Sequence, residues 1–378
     1  MGRILGRIAD FIRETDKLLF ILCFTASSYG ILAVFSATRH DGSMRPPLIQ
    51  AVCLLAGVCG ALLISAFNFT EYLKRWYLAT ILGLVPVILT FFIGIAPAGT
   101  DDRAWLDLGF TAFQPSELMK ICFIITFSAH LGTIKDKINK PLYLLPACQH
   151  GGLPVVLIVI QGDFGTAHVF AVMFVIMLWS AGVSWKYFIG AFSALLVSSP
   201  FIYFFLLNDD HRARIVSIFN IEADIQGDGY QQYRARVALA NGGFSGQGFL
   251  KGSLTQAGGV PEGHNDFIFV SIGEELGFLG CIAVLILLGA VCFRILRVAA
   301  ICNNDSGKLI CIGAFSMLFA QIVINLGMCV SILPVIGITL PFFSAGGTSL
   351  FTLLLGLGLV LSVYKHRDTR TIYLRDKF

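Results

Sequence analysis

The residues best suited to chemistry lie at 258–269, GGVPEGHNDFIF, directly before a long apolar stretch. This run holds Glu262, His264 and Asp266 close together in the chain. A carboxylate at the boundary of an apolar segment must find a partner, cap a helix or take part in chemistry. From the residues alone, both a helix cap and a general base remain open for Asp266. His264 fits a hydrogen-bonded loop histidine as well as a proton carrier.

Other charged residues interrupt the apolar stretches. Glu117 and Lys120 stand three residues apart on one face of a predicted helix, so they are expected to pair and to face a cavity or a bundle interior. A purely structural pair is the alternative. Glu274 and Glu275 are interpreted as structural acceptors, with helix caps and metal ligands as alternatives. Asp163 is expected to cap the helix that follows it.

Basic residues and many glycines share the segment 208–265. Glycines let backbone N–H groups approach an anion closely, and guanidinium groups bind phosphate oxygens in a bidentate fork. A phosphorylated or diphosphate ligand is therefore predicted here, against the alternative of an ordinary exposed loop. The candidate basic residues are Arg212, Arg214, Arg234, Arg236 and Lys251.

The composition decides which kind of molecule positions these residues. Of the 378 residues, 56% are hydrophobic and only 13% are charged, and the mean hydropathy is +0.79. These values exclude a soluble globular domain and predict an all-α polytopic membrane protein, with residues 1–378 forming a single domain. The ten Cys include no CxxC pair, so free thiols are expected. The basic start precedes an apolar segment long enough to span a bilayer, so no cleavable secretion signal is expected.

Apolar runs of about twenty residues, the length that spans a bilayer, predict ten transmembrane helices, of which the fifth is short. They lie near 18–38, 47–67, 77–98, 114–133, 147–161, 166–183, 187–207, 272–294, 309–331 and 347–364. Alternate links and both tails then hold most of the 27 Lys and Arg residues, whereas the short links on the other side hold only Arg39, Arg45 and Arg103. The positive-inside rule places both termini in the cytoplasm.

Two segments on the opposite, outer side stand out in this topology. Residues 208–265 form one large extracellular loop. Residues 333–349 are too apolar and too rich in Pro and Gly for a solvated loop. They are predicted to form a re-entrant outer link, because irregular backbone at membrane depth is tolerated only against protein or a cavity.

Taken together, these motifs resemble the SEDS family of bacterial cell-wall proteins, which comprises RodA, FtsW and SpoVE. Within this family, the sequence most resembles the RodA branch. The resemblance runs from about Asp16 to Tyr364 and preserves the order of the motifs. The strongest passages are WLDLG at 105–109, QPSELMK at 114–120, QGDFGT at 161–166, GYQ at 229–231, NGGFSGQG at 241–248, PEGHNDFIF at 261–269, GEELGF at 273–278 and LPFFS at 340–344.

The resemblance implies an inverting peptidoglycan glycosyltransferase that polymerises lipid II, the undecaprenyl-diphosphate-linked disaccharide-pentapeptide, on the outer face of the bacterial cytoplasmic membrane. Asp266 matches the family's essential aspartate and would take the proton from the acceptor sugar's 4-hydroxyl as the lipid diphosphate leaves. An ordinary aspartate pKa of about 3.9 makes a weak base, so desolvation beside Phe267, Ile268 and Phe269 is expected to raise the pKa of Asp266.

The remaining site residues take supporting roles in this interpretation. The five basic residues, aided by a divalent cation such as Mg²⁺ or Mn²⁺, would offset the charge of the diphosphate, with Glu262 and His264 also expected beside the substrate. Glu117 and Lys120 match the family's intramembrane acid-base pair, which supports a central cavity. The metal requirement itself stays open. The expected partner is a class B penicillin-binding protein, with no organic cofactor and no nucleic acid.

The chain departs from the family pattern at three places. Asn265 replaces the usual Thr, Ala345 replaces a Tyr, and Ala104 separates Arg103 from Trp105. These departures leave the role in elongation, division or sporulation open. Two other functions also remain: a flippase for lipid-linked cell-wall precursors, and a non-catalytic scaffold for a transpeptidase. A transporter is expected to carry internal repeats, and the sequence has no convincing one.

Overall fold

Long apolar helices make up most of the protein in the computed structural model, which describes residues 14–96, 103–107, 109, 112–206, 212 and 229–369. The helices are α1 Lys17–Ala37, α2 Arg45–Ala66, α3 Phe69–Lys74, α4 Trp76–Ile93, α5 Pro115–Ile134, α6 Pro141–Ile160, α7 Phe164–Ser180, α8 Trp185–Phe201, α9 Tyr230–Gly242, α10 Ile268–Ile301, α11 Asp305–Cys329 and α12 Gly347–Lys365. A π-helical turn, Ile202–Leu206, continues α8. Two short strands, β1 Leu106–Asp107 and β2 Ala112–Phe113, pair antiparallel before α5.

Ten of these helices coincide with the ten predicted spans. In the described part of the chain, nine helices are long and apolar enough to cross a membrane, and α7 is a shorter apolar helix of 17 residues. The prediction of an all-α polytopic membrane protein with about ten spans is confirmed. The fifth span is longer than predicted, because α6 begins at Pro141 and continues through Pro146 and Pro154. Neighbouring helices can satisfy the backbone groups that proline frees in such a helix.

Small residues set how closely the helices approach. Gly57 of α2 faces Leu354 of α12, where an added Cβ would lie 2.6 Å from the leucine Cδ1 atom. On the same two helices, a Cβ at Gly358 would lie 2.8 Å from the Cα of Ala61. Such contacts drive helix association in lipid, where apolar surface alone gives no preference for protein neighbours. In contrast, none of the residues of α8 is buried, so this helix lies at the periphery.

The start of α10 is interrupted at Gly277, whose φ of 66° and ψ of −161° are not helical. The backbone of the segment before α10 occupies this break: the N–H groups of Phe278 and Leu279 donate to the carbonyls of Gly243 and Phe244. A Cβ at Gly242 would overlap the carbonyl oxygen of Gly273. The described part of the predicted loop 208–265 therefore packs tightly on α10, and it contains the helix α9.

Residues 330–346, between α11 and α12, lack regular helix or strand, and residues 340–344 among them are buried. Leu340, Phe342 and Phe343 are almost inaccessible. A Cβ at Gly30 of α1 would overlap the Phe342 carbonyl oxygen, and Gln50 of α2 donates to the Ser344 carbonyl at 3.1 Å. The predicted link is thus irregular backbone held against protein, as the membrane argument requires.

Candidate active site

Asp266 lies in a tight turn that leads into α10. The N–H groups of Asn265 and Phe267 both donate to the Glu262 carbonyl, at 3.0 and 3.1 Å. The Ser271 hydroxyl ties the turn to the first part of α10 by donating to the Gly263 carbonyl at 2.8 Å. The helix is capped by Phe267 without a side-chain hydrogen bond. Asp266 therefore does not cap α10, and the helix-cap interpretation is wrong.

The Asp266 carboxylate faces the irregular segment 330–346. A Cβ added at Gly337 would lie 3.7 Å from the Asp266 Oδ2 atom, and the left-handed φ of 65° at Gly337 favours glycine there. Burial raises the pKa of Asp266 to about 7, and the nearby Glu262 carboxylate adds to the rise. The desolvation expected from the sequence is present. A carboxylate with this pKa is close to the optimum for a general base near neutral pH.

The neighbouring residues of the turn connect it to the same irregular segment. The Ala345 N–H donates to the His264 carbonyl at 2.9 Å, and the Ser344 hydroxyl donates to the Asn265 carbonyl at 2.8 Å. Asn265 also donates from its amide to the Glu262 carboxylate at 2.7 Å. At Ala345, the backbone rather than the missing aromatic side chain makes the contact with the turn.

Glu117 and Lys120 form the predicted ion pair. The Lys120 Nζ atom lies 2.8 Å from the Glu117 Oε1 atom, and the side chains are only 2% and 10% exposed. Ser349, in the first turn of α12, donates to the other Glu117 oxygen at 3.3 Å. This hydrogen bond places the pair beside the helix that follows the irregular segment.

Asp163 is the predicted helix cap, since its carboxylate accepts from the Thr166 N–H at 2.9 Å at the start of α7. Its other oxygen accepts from Gln114, directly before α5, at 2.8 Å. A Cβ at Gly165 would overlap the Ile336 carbonyl oxygen. The starts of α5 and α7 therefore lie at the same end of the bundle as the segment that faces Asp266.

Glu274 and Glu275 are structural acceptors, as the sequence indicated. Glu274 accepts from the N–H groups of Leu254 and Thr255 at 2.8 and 2.7 Å, and from the hydroxyls of Ser253 and Thr255. Glu275 accepts from Ser36 of α1 at 2.6 Å and from Gln256 at 2.8 Å. Both carboxylates anchor the segment 253–257 to α10.

The predicted basic residues that the structure describes differ in their partners and exposure. Arg234 donates from Nε to the Gly259 carbonyl at 2.7 Å and so stays beside the Asp266 turn. Arg236 and Lys251 are exposed. Arg212 donates to the carbonyls of Tyr203 and Phe204, at 3.0 and 2.8 Å, near the end of α8. Arg214 lies outside the described residues.

The expected divalent cation can be tested against the residues present. No group of three or more His, Cys, Asp or Glu side chains that could hold a metal occurs among the described residues. Mg²⁺, however, is usually held by one or two carboxylates together with substrate phosphates and water. The exposed Glu262 carboxylate fits that donor set.

Several residues that build the site were not among the predicted ones. Asn325 of α11 donates to the carbonyls of Asp266 and Ile338, at 2.8 and 2.6 Å. Gln232 of α9 donates to the Leu333 carbonyl at 2.8 Å. One signal in the sequence points to Asn325: a polar amide within an otherwise apolar span is costly unless it is satisfied, so it marks a tertiary contact.

The fold and this site define a polytopic helical membrane protein in which a partly buried carboxylate lies between the start of a spanning helix and an irregular segment. The chain belongs to the FtsW, RodA and SpoVE family, described as cell cycle proteins, whose model matches residues 16–369. The identification as a SEDS protein is confirmed.

Individual relatives extend over nearly the whole chain. The chain is 30% identical to the peptidoglycan glycosyltransferase MrdB of Escherichia coli (strain K12), covering 93% of this chain and 94% of that protein. The chain in "Structural coordination of polymerization and crosslinking by a peptidoglycan synthase complex" superposes with a TM-score of 0.80 at 28% identity, covering 93% and 98% of the two chains. The crystal structure of the rod shape determining protein RodA of Thermus thermophilus superposes with a TM-score of 0.70 at 26% identity, covering 94% and 98%. These comparisons agree with the prediction of a peptidoglycan glycosyltransferase.

Proposed function

We propose that this protein is the peptidoglycan glycosyltransferase that polymerises lipid II into glycan strands, with Asp266 as its general base. The proposal rests on the position and the raised pKa of the Asp266 carboxylate. It lies between α10 and the irregular segment, and burial raises its pKa to about 7. The name of the E. coli relative supports the same activity.

The reaction joins the 4-hydroxyl of an acceptor sugar to the anomeric carbon of a donor. Asp266 accepts the hydroxyl proton while the new C–O bond forms, and the bond from the anomeric carbon to the lipid diphosphate breaks on the opposite face. The configuration is inverted, and the diphosphate leaves with the bonding electrons. General-base assistance of this kind contributes about 10²- to 10⁴-fold in rate.

The leaving diphosphate requires positive charge or hydrogen-bond donors. Arg234, which donates to the Gly259 carbonyl beside the Asp266 turn, is the basic residue that the structure supports best for this role. Arg236 and Lys251 are exposed and available to substrate. A divalent cation held by the exposed Glu262 carboxylate and by the phosphates would supply further charge neutralisation and would leave Asp266 as the base.

The distribution of the basic residues supports one membrane orientation. Most of them lie in the tails and the links on one side of the ten spans, which supports cytoplasmic termini and an active site on the extracellular face. Lipid II polymerisation on that face requires the donor to reach Asp266 from the membrane. A class B penicillin-binding protein is the proposed partner, since a similar chain was solved within a peptidoglycan synthase complex.

Purified protein and labelled lipid II test the proposal, with and without a class B penicillin-binding protein and a metal chelator. Glycan polymer is expected from the wild type, and none from Asp266→Asn or Asp266→Ala. Equal activity in these variants would overturn the base assignment. Wild-type protein that makes no polymer with its partner, yet translocates lipid II in vesicles, would identify a flippase instead. If the wild type neither makes polymer nor translocates lipid II, yet still recruits the transpeptidase, it is a scaffold.

A further inference from the structure

Asn325 is a buried amide near the C-terminal end of the apolar helix α11. It is fully inaccessible in α11, and a polar group in that position is destabilising by about 1–3 kcal/mol when it lacks partners. Both amide hydrogens are used: one bonds the Asp266 carbonyl at 2.8 Å and the other bonds the Ile338 carbonyl at 2.6 Å. Its oxygen faces the Cys329 thiol at 3.7 Å. All of its donors are therefore directed at the two backbones that form the site.

The Asp266 carbonyl needs a partner outside α10, because the N–H group that would normally fill this role in the helix donates elsewhere. In a regular helix, the N–H four residues later would donate to it. Here the Val270 N–H donates instead to the Phe267 carbonyl at 2.9 Å, so α10 starts with a tighter turn. The partners of the Asp266 carbonyl in the described part of the chain come from α11, namely Asn325 and, more weakly, the Cys329 thiol at 3.5 Å.

The second carbonyl belongs to the residue after Gly337, which faces the carboxylate. The Asn325 side chain thus fixes two backbone segments, that of Asp266 and that of residues 337–338, which faces the Asp266 Oδ2 atom. We propose that Asn325 is a positioning residue for the Asp266 base, setting the separation between its carboxylate and the Gly337 backbone where the acceptor hydroxyl must fit. This inference rests on the proposed function and adds a residue to it.

The test compares Asn325→Leu with Ser316→Ala in lipid II polymerisation. Ser316 is a matched control, because it is buried in the same helix and, among the described residues, its hydroxyl bonds only the Gly313 carbonyl of its own helix, at 2.9 Å. Asn325→Leu is expected to lower kcat about 10- to 100-fold, since misplacement by about 1 Å has effects of that size. KM is expected to stay within about twofold, and Ser316→Ala is expected to retain activity.

Two further readouts separate positioning from mere stability. A less constrained carboxylate is better solvated, so the acidic limb of the pH–kcat profile of Asn325→Leu is expected to shift to lower pH. In the Asp266→Asn background, Asn325→Leu is expected to have no further effect on residual activity, because residues that act through one another are not additive. A folded Asn325→Leu protein with unchanged kcat and pH profile overturns the inference alone. Full activity of Asp266→Asn overturns the base assignment and the inference together.

Discussion

The ammonium group of Lys120 lies 2.8 Å from the carboxylate of Glu117 within the bundle, and the two side chains are nearly inaccessible. Breaking such a pair leaves one buried charge without a partner, which destabilises a protein by about 3–5 kcal/mol, whereas replacing both charges by neutral groups has a much smaller effect. The pair is therefore better understood as mutually dependent than as two separate stabilising residues.

Lys120→Met and Glu117→Gln, made singly, are each expected to lower the thermal midpoint of the detergent-solubilised protein strongly. The double variant Glu117→Gln/Lys120→Met is expected to recover much of that loss, because no unpaired charge remains. Thermal unfolding followed by fluorescence measures all four proteins. Lys74→Met is the control: its pair with Glu71 is about half exposed, so it is expected to change stability by no more than about 1 kcal/mol. Additive effects of the two buried substitutions would contradict the expectation.

Glycan polymerisation is expected to rise with pH around neutrality. Burial raises the pKa of Asp266 to about 7, and only the deprotonated carboxylate can accept the hydroxyl proton. Roughly a tenth of the sites are deprotonated one pH unit below the pKa and roughly nine tenths one unit above it, so kcat is expected to increase about tenfold from pH 6 to pH 8. Initial rates with saturating lipid II measure this limb. A flat profile over that interval would exclude Asp266 as the titrating base.

Asp266→Asn is expected to stabilise the protein in a pH-dependent way. The folded-state pKa is raised above the usual value, so the protonated form is favoured on folding; stability from this group is fully present below pH 3.8 and is lost as the pH rises through about 7. Asparagine resembles the protonated acid at every pH. The thermal midpoint of the variant is therefore expected to exceed that of the wild type at pH 8, with a smaller difference at pH 5. The opposite trend would mean that the carboxylate is stabilised as an anion.

Local sequence patterns predicted most of the elements, whereas the role of Asp266 came from the family resemblance and stays a prediction. Hydrophobic run length was sufficient for the ten spans, and the spacing of Glu117 and Lys120 was sufficient for their pair, because both depend on neighbouring residues. The contact between Asn325 and Asp266 depends on how two distant helices pack, which no local pattern specifies. The same reason explains the basic residues of 208–265: their sequence pattern did not indicate that Arg234 bonds the Gly259 carbonyl, whereas Arg212 bonds the carbonyls of Tyr203 and Phe204.

Glu274→Gln is expected to loosen the segment 253–257. The carboxylate accepts from two backbone N–H groups and two hydroxyls, and an amide would turn its NH₂ group toward some of these donors. Hydrogen bonds to a charged group contribute about 1.5–3 kcal/mol each. Limited proteolysis is expected to cut this segment faster in the variant, with lower polymerisation because the same segment leads to Asp266. Glu71→Gln, at an exposed pair, serves as the control, and unchanged proteolysis in Glu274→Gln would contradict the anchoring role.

Gly30→Ala is expected to disrupt the irregular segment 330–346, because a Cβ at this position would overlap the Phe342 carbonyl oxygen and would lie 2.7 Å from the Phe343 Cα atom. Alanine normally stabilises a helix relative to glycine by about 0.5–1 kcal/mol, so a lowered thermal midpoint would have to come from the segment. Gly152→Ala is the matched control: it is also helical, in α6, and a Cβ there meets nothing within 4 Å. Since Ser344 and Ala345 of the segment bond the Asp266 turn, Gly30→Ala is also expected to reduce polymerisation. A stable, fully active Gly30→Ala protein would show that the segment can move away from α1 without disturbing the site.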